Sequence, residues 1–358
     1  MHSSKPLRWW LSAGSVLAVT LFASAAVVAE EHDRSILVLT STNGSNANSV
    51  VVFKLDTAGT PSLSLTATLP TGGTGGAGAG GSAGILQFKD DAGAVANFGT
   101  NSVSRLERHD DSITVAGSFQ LAPGCVQPDS VALKDGHVFV VGANCAESHW
   151  WPSGSTDGVV KLTDSSAGQI AAGITWAAVT LKSGSVLQLP LTRTGALNGT
   201  SAPVSLPATA NNTPLGAEFW GDNLGFTPAH SPDSFAIVNH NLDVFPIAGP
   251  APSFPTNAPC WVAKGPGNLW YTGNSPGQAI SIFFTDDQGG VFYKSVPLPG
   301  TPTDITVSRD KKWLAVIYSA SSNAYVAVFS IDNFGELTHV ATSSPTGVAS
   351  FSGVAISE

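Results

Sequence analysis

Charge is scarce in this chain of 358 residues: Asp, Glu, Lys and Arg together make up only 11% of it. Basic residues are scarcest, 16 against 25 acidic. That balance excludes the positive footprint a nucleic acid or an anionic membrane surface requires. Long apolar runs are also missing beyond the first 29 residues, so no later stretch can cross a bilayer, which takes about 20 residues. Cysteine is limited to three residues. The Gly-rich stretch from Gly72 to Gly84 (GGTGGAGAGGSAG) lacks both the lysine and the following helical pattern that phosphate-cradling loops use, which argues against phosphate binding there. Glycine and proline are plentiful at 38 and 23 residues, as a chain of short strands and tight turns needs.

What is present is a repeat. Pro302 to Val340 reads as four strands: Asp304 to Ser308, Trp313 to Tyr318, Tyr325 to Ile331, and a fourth from Leu337. Polar turns separate them, and the unit has no helical period. Trp313 to Tyr318 is continuously apolar, the mark of a strand buried on both faces. Copies of the unit start at Ser82, Pro128, Pro214, Pro259, Pro302 and Gly347. The spacing is about 45 residues, with one double gap that predicts a hidden start near Ala171. Seven four-stranded repeats of this length predict an all-β fold, a seven-bladed β-propeller. The last copy is truncated, and strands at Ile36 to Thr40, Val50 to Leu55 and Ser64 to Leu69 supply its remainder. One blade is therefore expected to be shared by both ends of the chain, which removes an open sheet edge.

Residues 1–29 carry Lys5 and Arg8, then an Ala-rich apolar stretch, then Val27-Val28-Ala29 before Glu30-Glu31. This predicts a cleaved signal peptide, the alternative being an uncleaved membrane anchor because Trp9 to Ala29 approaches the length of a span, with residues 30–358 forming one domain in a secreted or cell-surface protein. Cleavage would leave 14 basic against 25 acidic residues, a net charge of −11. The hairpin around Asp135-Gly136 pairs positions whose numbers sum to about 271, and Cys125 and Cys145 nearly satisfy that sum. They are expected to form a disulfide, consistent with a secreted protein. Cys260 is left over, as a buried apolar thiol or a reactive one. Asn43, Asn198 and Asn211 stand in N-x-Ser/Thr acceptors within turns, so a glycoprotein is expected where the compartment allows.

Glu147 to Ala171 departs from the period and reads as a long loop. Within it His149, Trp150 and Trp151 form either a lip for a sugar or aromatic ligand, or a segment folded back on its own surface. The opening residues of each unit ring the mouth of a propeller channel, and here they include Asp129, Glu218, Cys260-Trp261 and Asp304.

The Pro before strand one, the Val-Ser-x-Asp-x-x-x-Leu across the first hairpin and the following Val-x-Val-Phe-x-Ile-Asp-x-x-Gly-x-Leu resemble the lactonase-type seven-bladed propellers. That family includes 6-phosphogluconolactonase and carboxy-cis,cis-muconate cyclase. The match is best over Pro302 to Leu337 and next best over Pro259 to Phe292. The resemblance implies a lactone-opening or lactone-forming site in the channel. It also implies Arg and His after the opening prolines, and this chain has neither there, so no catalytic residue carries over. Two classes of function fit. One is a hydrolase or isomerase with Glu218 or Asp304 as general base and His230 or His240 as proton shuttle, with calcium on Glu218, Asn239 and Asp304 as a variant. The other is a non-enzymatic secreted binding protein, antigen- or adhesin-like, carrying a small-molecule or carbohydrate ligand. No other cofactor, no nucleic acid and a monomer are expected in both.

Overall fold

The computed structural model describes residues 34–358 apart from 77–82, 250–257, 287–288 and 347. The proposed signal peptide lies outside the described residues, as does part of the Gly72–Gly84 stretch. Seven four-stranded antiparallel sheets account for nearly all the regular structure. Their inner strands are Leu86–Lys89, Pro128–Lys134, Ala167–Ala172, Pro214–Trp220, Pro259–Lys264, Thr301–Val307 and Ser352–Ser357. Each inner strand touches those of the two neighbouring blades, and the series closes on itself. The chain is thus a seven-bladed β-propeller. We number the blades 1 to 7 in the order of these strands.

Blade 7 is shared between the two ends of the chain. Ser352–Ser357 pairs antiparallel with Ile36–Ser41, and Ser49–Asp56 and Ser62–Pro70 complete the sheet. The hidden unit is blade 3, but its inner strand begins at Ala167, before the expected Ala171. Ala171 and Ala172 end that strand, and Trp176–Leu181 is the second strand.

The reading of Glu147 to Ala171 as a long loop is corrected. Cys145–Trp150 and Ser155–Lys161 are the third and fourth strands of blade 2, joined by a tight turn. The segment resembled a loop because two polar residues, Glu147 and His149, occupy buried strand positions and hydrogen-bond each other.

Six of the seven inner strands carry a register shift near their start, between Pro128 and Ser130, Ala167 and Gln169, Pro214 and Ala217, Pro259 and Trp261, Pro302 and Asp304, and Ser352 and Val354. An extra residue at each bends the strand and re-aims the side chains after it. The shift in blade 2 moves the pairing sum from 271 at Ser130–Val141 to 270 at Pro128–Gly142. That brings Cys125 and Cys145 opposite each other, and they are bonded, with Cα atoms 5.6 Å apart. Reducing this bond should lower stability by about 3 kcal/mol, since it closes a loop of some 20 residues. Denaturant titration with and without reductant measures the difference.

The core lies in slabs between blades. Phe235, Trp270 and Phe283 form one such slab between blades 4 and 5, with Phe235 5.3 Å from each of the other two rings. Glycine makes room there: a Cβ on Gly225 would lie 2.5 Å from the Trp270 ring. The indole N–H is satisfied by Thr285 Oγ1 at 2.9 Å, so the large ring is buried without stranding a donor.

Candidate functional site in the central channel

A cavity of about 200 Å³ lies on the ring axis and is lined by residues of all seven inner strands. Its polar side chains include Gln169, Glu218 and Asp304, and its apolar ones include Phe88, Leu133 and Val262. The cavity is below the usual size of a drug-sized site and suits a ligand of a few heavy atoms.

The three polar groups are fixed by the blade that follows each. Gln169 Oε1 accepts the Ala217 N–H at 2.7 Å. Glu218 Oε2 accepts the Lys264 N–H at 2.8 Å. Asp304 Oδ2 accepts the Val354 N–H at 3.2 Å, and Oδ1 accepts the Ile305 N–H at 2.9 Å. An inner strand in a ring has hydrogen-bonding partners on one side only. Side chains that reach across to the next inner strand therefore stitch blades together and cover backbone donors that would otherwise be bare.

The two carboxyls sit in different surroundings. Asp304 is 5% exposed, and burial pushes its carboxyl up to about 7, against the opposing pull of the N–H groups it accepts. Glu218 is only half-buried, at the same cavity.

Below Glu218, at the end of blade 5's inner strand, is a lysine the sequence reading did not single out. Lys264 is 4% exposed, and its ammonium donates to the carbonyls of Gly265, Gly267 and Leu269. It also lies 5.1 and 5.4 Å from the Trp220 and Trp270 ring centres. Burial lowers its pKa to about 8, so it stays mainly charged at neutral pH. The carbonyl cage and the two indole faces take the place of water around the charge. Lys264→Met should cost roughly 2 kcal/mol, because the cage carbonyls lose their donor. A lower denaturant midpoint at unchanged slope would show it. The signal in the sequence was a lysine ending an inner strand, just before Gly265-Pro266-Gly267.

The remaining expected residues do not join this site. His230 is exposed in the turn after Asn223–Pro228, with Nδ1 3.0 Å from Thr213 Oγ1. His240 is exposed beyond the end of Asp233–Val238, at the other end of blade 4. Neither lines the cavity. The calcium set does not converge either: Asn239 spends its side chain on Asn241 and Asp243 within its own turn. Among the described residues Cys125, Cys145 and Glu147 have metal-ligand spacing, but both sulfurs are in the disulfide. Cys260 is half-buried at the start of an inner strand, and burial pushes its thiol up to about 11, which suits an inert thiol rather than a nucleophile.

His149 is fully buried and bonds Glu147 Oε2 at 2.9 Å, so it cannot meet a ligand at the surface. Trp150 is 46% exposed, with its ring edge-on to His137. Trp151 is half-buried, with the Arg105 guanidinium 5.9 Å from its ring centre.

No family model and no curated protein matches this chain. Solved structures do. A functionally unknown protein from Desulfotomaculum acetoxidans superimposes with TM-score 0.67 at 13% identity, covering 90% of this chain and 99% of that one. A protein from Lactobacillus plantarum gives 0.66 at 14%, covering 91% and 100%. A putative 6-phosphogluconolactonase from Bacteroides fragilis gives 0.62 at 12%, covering 91% and 99%. At such identities the likeness is one of fold.

Proposed function

We propose that this propeller is a secreted lactonase-like protein that opens small uncharged lactones in its channel. The observation that carries the reading is the Asp304 carboxyl, held near neutrality in the cavity it shares with Glu218. Two carboxyls whose environments differ are suited to separate acid and base roles. In this reading Glu218 takes a proton from water as the water oxygen attacks the lactone carbonyl carbon. The ring C–O bond then breaks, and Asp304 gives its proton to the leaving alkoxide. The product is a hydroxy acid, and the two carboxyls return to their starting states by exchange with solvent. Gln169 is placed to orient the substrate. The histidines have no part in this scheme, which replaces the expected imidazole shuttle.

The acidic lining favours neutral substrates over phosphorylated or carboxylated ones, so the anionic substrates implied by the family resemblance are disfavoured. Secretion rests on the character of residues 1–29 and on the disulfide. Glycans are proposed at Asn198 and Asn211, which are exposed. Asn43 is the poorer acceptor, because its side-chain amide donates to the Gly76 carbonyl.

A second reading, a non-catalytic binding scaffold, is favoured by one observation: Gln169, Glu218 and Asp304 each already serve an inter-blade hydrogen bond. The test is hydrolysis of a panel of neutral γ- and δ-lactones by wild type, Glu218→Gln and Asp304→Asn. Turnover by wild type that falls about 10²-fold or more in both folded variants supports the enzyme. No turnover by folded wild type supports the scaffold.

A further inference from the structure

A larger cavity than that of the channel lies in the wedge between blades 5 and 6. Its volume is about 490 Å³, within the range of small-molecule sites. One wall is the end of blade 5's outer strand with Leu298 and Pro299. The other is the face of blade 6 that carries Tyr318, Ala327, Phe329 and Leu337. Blades diverge outward from the axis, so their outer strands separate. Ala327, with only a methyl group on the third strand, leaves that space open.

One end of the pocket is polar. Thr342 Oγ1 lies 2.7 Å from His339 Nε2, and Tyr318 lines the same pocket. His339 meets the Phe329 ring edge-on at 5.5 Å, which fixes the imidazole at the mouth. No Asp, Glu, Lys or Arg lines the pocket. A charged ligand would find no carboxylate, ammonium or guanidinium as counter-ion there. A wholly apolar one would leave the remaining hydrogen-bonding capacity of the hydroxyl and imidazole groups unused.

We propose that this inter-blade pocket binds an uncharged, mainly apolar ring compound bearing a hydroxyl group, with its ring against Phe329 and Leu337 and its hydroxyl on the Tyr318–Thr342–His339 group. The site is separate from the channel and does not depend on lactone chemistry.

The probe is 2-naphthol, compared with naphthalene and with naphthalene-2-sulfonate, titrated into the whole protein by fluorescence. Methyl NMR of the wild type locates the binding. Saturable binding of the naphthol, stronger than that of the sulfonate, is expected. Methyl shifts should centre on Val296, Leu298 and Leu337. Ala327→Leu fills the cavity and should weaken binding by about tenfold or more. Thr342→Val keeps the shape and should erase the preference for naphthol over naphthalene. Undiminished binding to folded Ala327→Leu would overturn the proposal. So would no saturable binding by wild type, or methyl shifts at Val262 and Val354 of the channel instead. Should Ala327→Leu not fold, the wild-type methyl map decides alone.

Discussion

Deleting Ser352–Glu358 should leave a protein that no longer folds as a closed ring. Those residues are the entire inner strand of blade 7, paired with Ile36–Ser41. Their loss exposes one edge of that strand, where Leu37, Val38 and Leu39 are fully buried. It also uncovers the flanks of the inner strands of blades 6 and 1, which pack on the lost strand. Val354 and Ala355 give up their burial, the strand's ladder bonds vanish, and the Thr40 hydroxyl loses the Gly353 carbonyl it donates to. A lost Val or Ile is worth about 1.5–3 kcal/mol each. With the ladder added, the total rivals the roughly 5–15 kcal/mol by which domains of ordinary stability are folded. The truncated chain should bind a hydrophobic dye and lose its cooperative melt. A truncated protein that melts cooperatively within a few degrees of wild type would contradict the shared-blade closure.

Asp304→Asn should remove a pH dependence of stability that wild type shows between about pH 4 and pH 7. The folded carboxyl is raised to about 7 from an unfolded value near 3.8. A raised acid binds its proton more tightly in the folded state. Its contribution is therefore fully present below the unfolded pKa and is lost as pH rises through the folded one. The stability of wild type minus that of the variant should fall by as much as roughly 4 kcal/mol across that window. A constant offset of about 1–3 kcal/mol against the variant accompanies this, because the amide nitrogen cannot accept the Val354 or Ile305 N–H. Denaturant melts of both proteins at four or five pH values separate the slope from the offset. A difference that does not change with pH would mean that Asp304 is ionised throughout. The two predictions meet at Val354, since the deleted strand carries one of the N–H donors that hold Asp304.

The blades were legible where turns and apolar runs alternate clearly. In blade 6, Asp304 to Ser308, Trp313 to Tyr318, Tyr325 to Ile331 and the start at Leu337 fall within the observed strands apart from one residue at Ser308. Blade 3 was nearly hidden because its inner strand, AGQIAA, opens without proline and is built from small residues. In blade 2 a buried acid–imidazole pair looked like loop polarity, since sequence does not show that two polar residues bond each other. The channel position of Glu218 and Asp304 could be read from the unit starts. The histidines could not be placed, because His230 and His240 sit in turns at opposite ends of one blade. Gln169 and Lys264 were missed for a related reason. A bulge near the start of an inner strand resets which face each later residue occupies, and a bulge leaves no mark in hydropathy.

A pH–rate profile for opening a neutral lactone tests most directly the claim that a proton held by Asp304 is used in the channel. Wild-type kcat/KM should decline as pH rises through about 7, and Asp304→Asn should both lower the rate and abolish that limb. Turnover whose pH profile is the same in wild type and Asp304→Asn would contradict it, as would a folded wild type with no turnover at any pH.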